Sequence, residues 1–166
     1  MAALAQSTRR KLSLLHLAQE LQKVYRPYLD KVTINSIAST EVAATPAWSI
    51  QFFEEDGRRP VEDFLDDLDN PRRAKVVAVV ALLGEQGPNL PFPYSSQVRG
   101  KIRELRTQYG KDRYRVLYFG APERIFVLLH AFQKNTAKVP ESDIRIAENR
   151  MKKYVQQLEN EGETRS

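Results

Sequence analysis

Seven basic side chains, Arg99, Lys101, Arg103, Arg106, Lys111, Arg113 and Arg115, crowd residues 99 to 115 against Glu104 and Asp112 alone. Guanidinium and ammonium groups at that density suit a polyanionic partner, phosphates above all. His130, with an ordinary pKa near neutrality, adds a group able to carry a proton. On simple alternation along its strand it points the same way as Phe132 and Lys134, and so shares a face with a cation. Glu104 shares a strand face with Arg106, either as a base or as the ion-pair partner that orients this guanidinium. For His130 the competing role is structural, a ring hydrogen-bonded within a strand.

The rest of the composition narrows the chemistry. There is no Cys, which removes disulfides, thiolate zinc sites and a Cys nucleophile, and His16 and His130 lie too far apart in sequence to suggest a dedicated metal site. No cofactor is implied. The net charge of +5 is unevenly spread: residues 54 to 69 hold eight acidic and two basic side chains, the reverse of 99 to 115. No apolar run approaches the ~20 residues of a membrane span and no secretory leader is recognisable, so a cytoplasmic protein is expected.

The basic residues need strands to position them. Aromatic and β-branched residues fill Lys101 to Gln108, Arg113 to Phe119 and Arg124 to Gln133, while Gly110 and the Gly120-Ala121-Pro122 run mark the turns, the pattern of a meander. Upstream, Trp48 to Phe53 alternates as a first strand before Asp56-Gly57. Pro60 opens a short helix with Val61, Phe64, Leu65 and Leu68 on one face. Asn70-Pro71, with Asn as cap, opens a second that stops near Gly87-Pro88. A Pro-rich loop, 88 to 93, leads into the basic strands. Pro140-Glu141 begins a last helix striped by Ile144, Ala147, Met151, Tyr154, Val155 and Leu158.

This order predicts an α+β domain at residues 47–158, a mostly antiparallel four-stranded sheet with two helices on one face and a C-terminal helix, the opposite sheet face staying partly open. Residues 1–46 read as an extension, an amphipathic helix near 7–25 followed by a Ser/Thr/Ala-rich linker, and 159–166 as a disordered tail.

Five segments carry a resemblance: FFEEDGRRPVEDFLDDL, KIRELR, YRVLYF, LLHAFQKN, and the P-x-x-D-I-x-x-A-x-x-R pattern beginning at Pro140 and followed by Tyr154. In this order and spacing, over about residues 48 to 158, they resemble the phage-derived, HigB-like branch of the RelE/ParE superfamily of type II toxins. The resemblance implies a RelE-like fold and a small ribonuclease that cuts messenger RNA on the ribosome, held inactive by a helix-turn-helix antitoxin. A metal-free route through the 2′-hydroxyl needs a base, cations for the phosphorane and an acid for the leaving oxygen. By position, Arg106 and Arg115 match the family's sheet-borne cations and Lys134 its late Arg/Lys, with His130 and Glu104 as acid-base candidates.

Lys101, Arg103, Tyr118, Arg150, Lys152 and Lys153 complete the expected RNA contacts. Competing roles are solvated charge for Lys101, an antitoxin or acidic-helix contact for Arg103, packing for Tyr118 and Tyr154, and a salt bridge to the sheet for Arg150. Two other functions remain open on the same fold: a ParE-like gyrase inhibitor, and an inactive descendant that only binds antitoxin or RNA.

Overall fold

The computed structural model describes residues 48 to 163. The expected helix near 7–25 and its linker lie outside the described residues. The elements are β1 (Ser49–Phe52), α1 (Pro60–Asp66), α2 (Asn70–Gln86), β2 (Ser95–Arg99), β3 (Ile102–Tyr109), β4 (Asp112–Ala121), β5 (Ile125–Gln133) and α3 (Glu141–Glu163), with one 3-10 turn at Gly87–Asn89.

They build a five-stranded sheet in the order β1-β5-β4-β3-β2, not a four-stranded one. The strand that sequence patterning misses is β2, SSQVR. Only Val98 in it is β-branched, so nothing local marks it as extended. Its partner decides: β2 pairs antiparallel with β3, with a register shift between Gln97 and Arg99. β1 runs parallel to β5, and the other pairings are antiparallel.

Pro60 takes the first turn of α1, where its missing N–H is harmless. The cap of α2 is Asp69 rather than Asn70; its carboxylate accepts from the Arg72 amide at 3.1 Å. At the other end Gly87 has φ +62°, and a Cβ there would sit 2.4 Å from the Trp48 ring nitrogen, so only glycine fits.

Helices lie on both sheet faces, which corrects the expectation of one partly open face. Tyr114 meets Phe64 of α1 edge-on and Thr107 bonds the Lys75 carbonyl of α2. The other face is covered by α3: Ala147 is fully buried against Ile102, Leu117, Phe119, Val127 and Leu129, and Met151 and Tyr154 pack beside them. The apolar stripe on α3 needed a surface to bury it, and this row of aliphatic side chains supplies one. The helix runs on to Glu163, past the expected end at Leu158, so residues 159–163 are helical rather than tail.

One irregularity sets which side chains reach the α3 face. Between β4 and β5, Leu117 pairs with His130 while Tyr118 pairs with Leu128, leaving Leu129 as an extra residue. Without this bulge, Val127, Leu129 and Ala131 would alternate on the α3 face and His130 would point to the opposite one. The bulge reverses the phase and brings His130, Phe132 and Lys134 onto the α3 side.

Candidate active site

Directly paired strand residues share a face. Leu117 belongs to the α3-side core and pairs with both Glu104 and His130; Arg115, two residues earlier, pairs with Arg106 and with Phe132. Glu104, Arg106, Arg115, His130, Phe132 and Lys134 therefore occupy one face, beside α3. The sequence-based set of five is brought to a single surface, but divides into two clusters.

The first centres on Glu104. Its Oε2 lies 3.1 Å from Arg115 Nε, its Oε1 lies 3.9 Å from Arg106 Nε, and the same Oε1 accepts from the Ser96 hydroxyl at 2.8 Å. Arg115 also donates from Nη1 to the Tyr114 carbonyl at 2.8 Å. Glu104, Arg115 and Lys134 are all buried, whereas the Arg106 side chain is 31% exposed and reaches the rim. Burial, then the neighbouring Arg115 charge, pushes the Lys134 ammonium below its ordinary pKa, and burial lowers Arg115 as well.

Arg106, Arg115 and Lys134, with Arg113 also acting on the last two, outweigh the one carboxylate and leave the group net positive. Arg115 Nε and Glu104 Oε2 are close enough for an ion pair but are not aligned for a hydrogen bond, so both buried atoms lack a hydrogen-bond partner and are held by charge alone. The excess positive charge favours an incoming anionic oxygen at the rim, where Arg106 is exposed.

His130 belongs to the second cluster. Its Nε2 is 2.7 Å from Asp143 Oδ1, and Arg150 Nη1 reaches its Nδ1 at 3.2 Å while also donating to the Leu129 carbonyl at 2.8 Å. Because Arg150 can only donate, Nδ1 accepts, and the proton sits on Nε2, pointing at Asp143. Burial lowers the ring's pKa below its ordinary value, Asp143 opposes the shift and Arg150 adds to it. Both nitrogens are thus committed to α3, and Phe132, stacked on the ring at 5.6 Å, lies between His130 and the Arg115 group. The geometry gives His130 a positioning role at the sheet–helix junction.

The pattern P-x-x-D-I-x-x-A-x-x-R now has a physical meaning. Asp143 and Arg150 are two helical turns apart on one face, clasping His130, while Ile144 and Ala147 fill the core between them. Arg150 is a strut rather than a surface cation. Ser96 was not singled out from sequence, since nothing there shows β2 to be a strand that turns it toward Glu104.

The remaining expected RNA contacts scatter. Arg103 and Tyr118 pair across β3 and β4 on the α2 side; the buried Tyr118 hydroxyl lies 2.7 Å from Ser95 Oγ and accepts from Arg103 Nε at 3.3 Å. A ring 2% exposed is packing and not a stacking surface, which corrects the expectation for Tyr118. Lys101 is exposed in the β2–β3 turn, Lys153 pairs with Glu55, and Lys152 is exposed on α3. Tyr154 also packs, edge-on to Phe119, and donates to Gln51 Oε1 at 2.8 Å.

A mixed sheet flanked by two helices on one face and a long C-terminal helix on the other, with a cationic group embedded in its central strands, is consistent with the RelE-like toxin fold. Residues 63–152 match the family described as phage derived protein Gp49-like (DUF891). Two proteins of Mycobacterium tuberculosis, from strains CDC 1551 and H37Rv and both named "Probable endoribonuclease HigB1", are 31% identical to this chain over 112 residues, 66% of this chain and 86% of theirs. The chain belongs to the Gp49-like family, the phage-derived, HigB-like branch of the RelE/ParE toxins.

Proposed function

We propose that this protein is the toxin of a type II toxin-antitoxin pair, an endoribonuclease that cuts messenger RNA on the ribosome and is neutralised in the cytoplasm by a helix-turn-helix antitoxin. The observation that carries the reading is the convergence of Arg106, Arg115 and Lys134 around Glu104 on one sheet face. It is supported by the name the M. tuberculosis relatives carry.

In this reading the 2′-hydroxyl of a nucleotide attacks its own 3′-phosphate, the bond to the 5′-oxygen of the next nucleotide breaks, and the products are a 2′,3′-cyclic phosphate and a 5′-hydroxyl. Arg106 and Arg115 face the negative charge that builds on the phosphorane, and removing one such contact slows a reaction on the order of 10²- to 10³-fold. Lys134, its ammonium made more acidic by burial and Arg115, supplies the proton to the departing oxygen. The same cations make the facing 2′-hydroxyl easier to deprotonate, and its proton passes to solvent water as the oxygen attacks. Glu104 holds the two guanidinium groups in register.

Induced expression of wild type beside Lys134→Met and Arg106→Ala, with growth followed and transcript ends mapped, tests this. Wild type is expected to arrest growth and to generate new 5′-hydroxyl ends within coding regions, and the variants to lose both. Growth arrest with intact transcripts and lost supercoiling would instead identify a gyrase inhibitor. Purified ribosomes carrying a defined message, compared with the naked message, decide whether the ribosome is required.

A further inference from the structure

The loop before β2 holds an aromatic ring that lies outside the core and at the edge of the cationic group. Phe92 is 69% exposed, more than any other large apolar side chain described. A solitary exposed apolar residue is ordinary, but this one is neither isolated nor loosely held. Its ring lies under the Arg106 guanidinium, 4.9 Å from carbon to centroid, which sets it at the rim of the net-positive group.

The loop is fixed on both sides of the ring. Leu90 is buried, and its amide donates to the Gly87 carbonyl. The Pro91 carbonyl accepts from the amides of Tyr94 and Ser95 at 3.0 and 3.1 Å, and the Tyr94 carbonyl accepts from the Arg106 amide at 2.8 Å. Pro91 and Pro93 flank Phe92 and restrict the backbone further. An aromatic surface already ordered loses little freedom when a planar group lies on it.

We propose that Phe92 is the stacking platform for an unpaired base of single-stranded RNA, set beside the phosphate-binding cations so that base and phosphate of one strand are gripped together. The inference rests on the RNA-cleaving reading above and adds a positioning residue to it. Flat exposed rings next to a cationic track bind single strands without regard to sequence, because every base has a π face. Arg106, over the ring, serves both halves of the grip: it stacks on Phe92 and its charge faces the backbone.

The test uses the full chain and short single-stranded 2′-O-methyl RNAs, which resist cleavage, with 2-aminopurine at successive positions. Wild type is expected to quench the fluorophore at one or two positions. Phe92→Ala should abolish that quench and weaken binding on the order of 5- to 150-fold, with the salt dependence of binding unchanged because no phosphate contact is lost. Phe92→Trp should restore both. The exposure of the ring keeps the fold intact in these variants, checked by thermal melting. If wild type binds and quenches but Phe92→Ala does so equally at every position, stacking is refuted while the RNA reading stands, the result expected of a ring that anchors a protein partner. If wild type binds no RNA even at low salt, the platform is refuted, and if transcripts also stay intact on expression the RNA-cleaving reading falls with it.

Discussion

Replacing Glu104 by Gln isolates the electrostatics of the site from its packing. The amide has nearly the same shape, and its oxygen can still accept from Ser96. What disappears is the negative charge between Arg115 and Arg106, leaving Arg115 and Lys134 buried without a counter-charge. Breaking a buried pair from one side destabilises by about 3–5 kcal/mol. Arg115 retains its bond to the Tyr114 carbonyl, so the low end applies, about 3 kcal/mol. At roughly 2–4 °C per kcal/mol for a chain of this length, the melting temperature should fall by about 6–12 °C. The double variant Glu104→Gln, Arg115→Met removes the orphaned guanidinium and should regain at least about 1 kcal/mol over the single one, a coupling that urea denaturation resolves. A Glu104→Gln protein within about 0.5 kcal/mol of wild type, or a double variant less stable than the single, refutes the view that the carboxylate holds these cations in place.

Other consequences can be checked independently. Because burial keeps His130 below its unfolded pKa of about 6.5, the unfolded chain takes up the proton first as pH falls; the stability this neutral ring contributes is present above ~6.5 and is lost as pH drops toward the folded value. His130→Gln should flatten the fall in urea-unfolding free energy between pH 7.5 and 5.5, and an unaltered slope assigns it to other groups. Arg150→Met removes a cation that lowers the ring's pKa, so the His130 resonances should titrate at higher pH by NMR; no movement rules out the Arg150–Nδ1 contact. Tyr118→Phe should lower stability by about 1–2 kcal/mol through loss of its bonds to Ser95 and Arg103 and leave RNA cleavage unchanged. A loss of cleavage at unchanged stability would return Tyr118 to the interface.

Residue types and local periodicity determined much about this protein. Pro60, the helix start at Asn70-Pro71, the turn glycines Gly57, Gly87 and Gly110 and the α3 stripe act within a few residues of themselves, so their effect is legible along the chain, although the cap is Asp69 and Gly120-Ala121 continue β4 instead of turning. So is the concentration of cations at 99 to 115, whereas Arg106, Arg115 and Lys134 are picked out of the chain by the family resemblance. What only the tertiary structure decided depends on partners distant in sequence. β2 is a strand because β3 offers it hydrogen bonds, not because SSQVR prefers extension. Asp143 and Arg150 take both nitrogens of His130 once α3 folds back across the sheet, contacts that the sequence of β5 alone does not reveal. Above all, the bulge at Leu129 reverses the strand phase and swings Lys134 to the face of Arg115. An alternating pattern alone cannot reveal one extra residue in a strand, because the extra residue exists only in relation to the strand beside it.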